Sequence, residues 1–130
     1  MEGLTLRLES CRRALSTLDE ILRMPTDVVV RDASIQRFEY SFESLWKLLK
    51  AYLDQHEGIV CNSPKRCFRE ALKVGLLSVK DAEACLTMTD DRNLTSHTYI
   101  EAVALAIYGN LPHYLDVMKG LLANVEAGTQ

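Results

Sequence analysis

Apolar residues in this chain recur at intervals of three and four almost from end to end, and β-type alternation is nearly absent. That spacing lines up one face of an α-helix, so the pattern predicts an all-α fold of packed amphipathic helices. In the first segment Leu4, Leu8, Cys11, Leu15, Leu18 and Leu22 draw a single stripe, which Met24-Pro25-Thr26-Asp27 stops. The second carries Ile35, Phe38, Phe42, Leu45, Leu49 and Tyr52, with Trp46 and Leu53 widening the stripe. It is the longest and most aromatic segment, the expected spine of the core, and Gly58 ends it as a glycine just past the last periodic residue commonly does.

Cap signals divide the rest. Ser63-Pro64 reads as a helix start, the serine oxygen accepting from free amides while proline needs no partner for its missing N–H. That helix is expected to reach about Val74 and to stop at Gly75. Ser78, with Asp81 three residues later, opens another short helix to about Asp90. Phe68, Ala71 and Leu72, then Ala82, Cys85, Leu86 and Met88, supply the buried faces of the pair. The last long segment is expected to begin near Thr98, with Glu101 at the capping-box offset, and its stripe is Val103, Ile107, Leu111, Tyr114, Met118, Leu121 and Val125. Pro112 should kink it without ending it, because the apolar register continues past the proline. The prediction is an antiparallel up-and-down bundle of four to five helices, one domain over residues 1–126 with a frayed tail at 127–130.

Composition sets the outer limits. With 130 residues, 48% of them apolar, the chain can bury a core without disulfides or a metal. The four cysteines form no C-x-x-C pair and the three histidines stand at no metal-ligand spacing to them, so no metal site and no disulfide framework is expected. Cys11 and Cys85 fall on apolar faces, where a thiol is a small hydrophobe. The longest uncharged stretch, Ala102 to Leu115, is too short and too broken by Gly109 and Pro112 to span a bilayer. No basic start precedes an apolar run at the N-terminus, so a cytoplasmic protein is expected. The formal net charge of −3 argues against coating nucleic acid by bulk charge, although a local basic patch remains open.

The segment that a structural role explains least is Asp90-Asp91-Arg92-Asn93-Leu94-Thr95-Ser96-His97-Thr98-Tyr99, a dense polar stretch between two helices. On one straight helix Arg92 and His97 would diverge by roughly 140°. A break between them would let both face one pocket, and a cap at Ser96 or Thr98 would set His97 beside free amides that favour phosphate. The alternative is a capped turn in which Arg92 pairs with Asp90 or Asp91 and His97 is solvated. Lys65, Arg69 and Lys73, with Arg66 nearby, form a basic stripe that faces RNA or a nucleotide, or simply water. Arg37, Glu39 and Glu43 flank the aromatic stripe and are candidates for a partner or dimer interface, while Trp46 is assigned to the core.

Three blocks carry a family resemblance: the run Ile35-Gln36-Arg37-Phe38-Glu39-Tyr40-Ser41-Phe42-Glu43-Ser44-Leu45-Trp46-Lys47, Ser63-Pro64 with Arg69-Glu70-Ala71 downstream, and Asp91-Arg92-Asn93-Leu94-Thr95-Ser96-His97-Thr98-Tyr99. In this order, and over about Ile35 to Leu122, the chain resembles the nucleotidyltransferase substrate-binding protein family of the HEPN superfamily, related to HepT. The resemblance implies a homodimeric helical bundle that works with a minimal nucleotidyltransferase encoded nearby, and such pairs are described as toxin–antitoxin modules. It implies that the partner holds the nucleotide and the catalytic metal, and that this chain has no cofactor of its own. HepT-like toxins carry an R-x4-H-x-Y motif for a metal-independent RNase, whose tyrosine the partner adenylylates. Arg92, His97 and Tyr99 fit that motif, and Ile100 departs from it where many relatives have an acidic residue.

The chemistry is coherent with those roles. Cleaving RNA without metal needs a proton acceptor for the 2′-OH and a cation for the phosphate oxygens. His97 suits the first role and Arg92 the second, with Asn93 and Ser96 orienting phosphate or finishing the turn. Tyr99 offers a phenol to an adenylyl group, whose phosphate would repel RNA, or is a half-buried aromatic. Two readings therefore stand from the sequence: a binding subunit that presents a substrate to its partner, and an RNase.

Overall fold

The computed structural model describes residues 2–130, leaving aside the side chain of Glu2; Met1 lies outside them. They form α1 (Glu2–Leu22), α2 (Val28–Glu57), α3 (Pro64–Lys73), α4 (Val79–Leu94), a 3₁₀ turn (Thr95–His97) and α5 (Glu101–Gly128). Among the described residues there is no strand. The three long helices pack together, α1 most extensively on α2, and the short α3–α4 pair closes the open side of α2 and α5. The all-α bundle expected from the periodicity is the fold.

Most helix boundaries follow the local chemistry. Asp27 caps α2 by accepting from the Val30 amide at 2.7 Å, and Gly58 ends it in the left-handed region at φ 65°. Ser63 accepts from Arg66 N and Ser78 from Asp81 N, so both predicted caps form. Gly75, at φ 83°, makes the turn between α3 and α4. Helix α5 is continuous through Pro112. On α1, Ile21 takes the last buried position, and Leu22 packs only partly against the core.

Three boundaries differ from expectation. Helix α4 continues four residues past Asp90, to Leu94. Helix α5 starts at Glu101 rather than Thr98, with Ile100 at its cap and no side-chain cap bond. The cause is local: the Thr98 hydroxyl donates backward to the Thr95 carbonyl at 3.2 Å, and the Ile100 amide donates to the His97 carbonyl at 3.0 Å. Both groups tighten the preceding turn instead of capping the next helix. At the other end α5 runs through Gly128, two residues into the expected tail. Gly128 lies so close to the Tyr52 hydroxyl that a Cβ there would collide with it.

The core is organised around α2. Phe38 stacks on Tyr114 of α5 with ring centroids 5.7 Å apart, and Phe42 meets Phe68 of α3 edge-on at 6.0 Å. Such pairs add about 0.5–1.5 kcal/mol each beyond the burial of their surface. Phe38, Phe42 and Phe68 are essentially inaccessible to solvent, as are Leu45, Leu48, Leu49 and Leu53. Trp46, assigned to the core from its neighbours, is only partly buried.

The cysteines divide into two kinds. Cys61 and Cys67 form a disulfide, which the sequence reading did not expect. Their spacing carries no signal, but Cys61 lies in the connection after α2 and Cys67 in the first turn of α3, whose cap at Ser63 folds the chain back on itself. Cys11 and Cys85 are free and wholly buried, as expected of small hydrophobes, and burial pushes both thiols up from 9.0 to about 12.

Two outcomes follow for stability. A disulfide closing so short a loop is worth about 2 kcal/mol through the unfolded chain. Reductant should therefore lower the unfolding free energy by about that amount, and Cys61→Ala/Cys67→Ala should abolish the effect of reductant; urea melts with and without dithiothreitol check it. The buried thiols keep their protons when the unfolded chain has begun to lose them, so their stabilisation is complete below pH 9.0 and declines as pH rises toward about 12. Cys11→Ala/Cys85→Ala should show a shallower loss of stability over that alkaline window in a series of urea melts.

Candidate functional site

The polar stretch identified in the sequence is the corner where α4 hands over to α5. Arg92 stands in the last turn of α4, His97 ends the 3₁₀ turn, and Tyr99 sits in the bend before α5. The corner is tied by short-range bonds: the buried Thr95 donates its hydroxyl hydrogen to the Arg92 carbonyl at 2.8 Å. Asp91 anchors it to α5, accepting from the Tyr114 hydroxyl at 2.6 Å and from Asn110 at 3.1 Å. Burial, followed by the Asp91 carboxylate, pushes the Tyr114 phenol well above its ordinary value, so this bond retains its proton.

Arg92 turns back toward α2. Its guanidinium lies 3.3 Å from Glu43 and donates to the Thr95 hydroxyl at 3.4 Å, while its Nε is buried and finds no acceptor among the described residues. The ion pair is partly screened, with the two side chains 28% and 36% exposed, so it orients the guanidinium more than it stabilises the fold. The expected pairing of Arg92 with Asp90 or Asp91 does not occur. Asp90 instead binds Lys65 at 2.6 Å, and Asp91 is occupied by Tyr114 and Asn110.

The break between Arg92 and His97 is present, but it does not gather the three motif side chains around one hollow. His97 is exposed and its ring lies 6.1 Å from that of Tyr99, which is 81% exposed. The groove beside Arg92 is lined by Gln36, Glu39, Tyr40 and Glu43 of α2 and holds about 320 Å³. His97 and Tyr99 are not among its walls; the guanidinium is held between the α2 carboxylate and the Thr95 hydroxyl. Nor does a cap at Ser96 or Thr98 place His97 at a helix start, since α5 has no side-chain cap. Asn93 and Ser96 are exposed, and among the described residues no side-chain hydrogen bond joins them to the motif.

The basic stripe on α3 is half neutralised. Lys65 pairs with Asp90 and Lys73 with Glu70, leaving Arg66 and Arg69 exposed without an ion pair among the described residues. On α2, Arg37 donates to the Thr17 carbonyl at 2.7 Å and so serves the contact with α1. Glu43 is the residue whose role in the corner the sequence did not reveal. Its carboxylate takes Arg92, the Trp46 indole N–H at 3.1 Å and Lys47 at 3.9 Å. No spacing signal links it to Arg92, since the two meet only when α4 packs on α2. Among the described residues no group of His, Cys, Asp and Glu is placed to hold a metal, and no helix is long and apolar enough to cross a membrane.

With this geometry in place, the likeness to known proteins is specific. The family model described as "Nucleotidyltransferase substrate binding protein like" matches residues 6–127. The chain is 33% identical over 101 residues to the "Probable ribonuclease HepT" of Haemophilus influenzae, a match covering 75% of this chain and 68% of that protein. The crystal structure of a Thermus thermophilus protein superposes with a TM-score of 0.86 at 46% identity, covering 88% of this chain and 98% of that one. A second structure, from Haemophilus influenzae, is described as revealing the fold of a substrate binding domain of a nucleotidyltransferase. It has a TM-score of 0.68 at 27% identity and covers 96% of this chain and 98% of its own. On residues, fold and coverage together, the chain belongs to the nucleotidyltransferase substrate-binding protein family.

Proposed function

We propose that this chain is the helical subunit of a two-gene pair, docking a minimal nucleotidyltransferase encoded nearby and presenting Tyr99 to it as the acceptor of an adenylyl group. The observation that carries the reading is the exposure of Tyr99: it is 81% accessible, at a corner held in place by Thr95, Thr98 and Asp91. A phenol so placed can enter another protein's active site without unfolding the helices on either side of it. Its oxygen would attack the α-phosphorus of ATP and pyrophosphate would leave. The partner supplies the nucleotide and the metal, and this chain needs no cofactor of its own. The family likeness supports the partnership, which is toxin–antitoxin-like in organisation.

A second reading is favoured by the spacing of Arg92, His97 and Tyr99 and by the name of the Haemophilus relative: a metal-independent RNase. In this reading His97 takes the 2′-OH proton and Arg92 clamps the phosphate, with Asn93 and Ser96 at its edge. Within one chain Arg92 is held by Glu43 and misses one acceptor at Nε, so this reading needs a homodimer in which the two copies complete each other's pocket. Lys65 and Arg69 would then give RNA only a weak flank. A cytoplasmic location suits either reading. Disulfides are uncommon in that compartment except in intracellular proteins of hyperthermophiles, and the Cys61–Cys67 bond is shielded by burial.

Co-expression with the neighbouring nucleotidyltransferase should recover a complex, and incubation with ATP should raise the intact mass of this chain by one adenylyl group. Tyr99→Phe should bind the partner and take up none; two proteins eluting independently, or an unchanged mass on the wild type, would refute the proposal. For the second reading, wild-type protein should cleave RNA in the presence of EDTA. His97→Ala and Arg92→Ala should each lower the rate by about 10²-fold or more, as expected when a proton-transfer group or a phosphate-binding cation is lost.

A further inference from the structure

A groove of about 470 Å³ lies between the start of α1, the second half of α2 and the connection that follows it, with Trp46 among its walls. Three cations, Arg7, Lys47 and Lys50, line it against one carboxylate, Asp54, in a chain whose formal net charge is −3. Arg7 and Lys50 form no ion pair among the described residues. Lys47 reaches Glu43 only at 3.9 Å, and it shares that carboxylate with Trp46 and Arg92. Uncompensated positive charge in a concave site focuses potential and draws anions to it.

The indole adds a second requirement on the ligand. Trp46 is partly buried, its N–H held by Glu43, so the ring is fixed in orientation while part of it faces the groove. The Lys50 ammonium lies 6.0 Å from the ring centroid, where it can move aside for a flat group and bind that group's charge. The opposite wall is rigid too, because Cys61 is tied to Cys67 of α3. The volume falls in the range typical of small-molecule sites.

We propose that this groove binds a nucleoside monophosphate, the base stacked on Trp46 and the phosphate held by Lys50 and Arg7. The site is separate from the Arg92–His97–Tyr99 motif and does not depend on adenylylation or on RNase activity. Trp46 is the only tryptophan in the chain, so its fluorescence reads the groove directly. Titration of the purified chain with AMP should give a saturable change in emission, matched by calorimetry. Adenosine and inorganic phosphate should each bind at least about tenfold more weakly, because each lacks one half of the contacts. Lys50→Gln and Arg7→Gln should each weaken AMP by about tenfold with the helical circular dichroism intact, whereas Lys80→Gln, at an exposed lysine of α4 outside the groove, should change nothing. No saturable response at millimolar AMP by either method would overturn the proposal. So would equal affinity for adenosine, or full affinity in both groove variants.

Discussion

The row of rings Tyr114, Phe38, Phe42 and Phe68 is the interaction on which the rest of the structure depends. Two of the four belong to α2, and the other two bring in α5 and α3. A 30-residue helix cannot bury a stripe this wide against a single neighbour, so it collects α1, α3 and α5 around itself, with α4 completing the layer over α5. Every functional feature then takes its position from α2: the α4–α5 corner, the carboxylate that holds Arg92, and the groove under Trp46.

Glu43 shows how one residue on that spine can serve two places. One carboxylate oxygen faces Arg92 while the other accepts from Trp46 and lies near Lys47. The motif arginine and the indole groove are thus held by a single side chain, from opposite sides. Removing it would free the guanidinium and loosen the indole together, so the two regions share a positioning element even though their proposed ligands differ.

The corner itself is built to be stiff in its backbone and open in its side chains. Thr95 and Thr98 turn their hydroxyls onto carbonyls, and Asp91 ties the last turn of α4 to α5 through Tyr114. His97 and Tyr99 are left projecting from this frame, with no part in the core. Exposure of a large aromatic costs little when the backbone beneath it is already satisfied, and it leaves the phenol available to a second protein.

Helix periodicity and caps are local properties, so they were legible in the chain: the stripes of α2 and α5, the caps at Ser63 and Ser78, and the left-handed Gly58 all follow from residues a few positions apart. The same is true of the existence of a break between Arg92 and His97 and of the family's motif spacing. Where side chains go after that break was decided by packing. The choice of Glu43 over Asp90 for Arg92, the Lys65–Asp90 pair and the cationic groove beside Trp46 each join elements that the chain alone does not bring together, whereas the Cys61–Cys67 bond is local and went unread because its spacing carries no signal. Hydrogen-bonded turns are specified within a few residues, whereas charge partners are chosen by whichever group the tertiary fold delivers within a few ångströms.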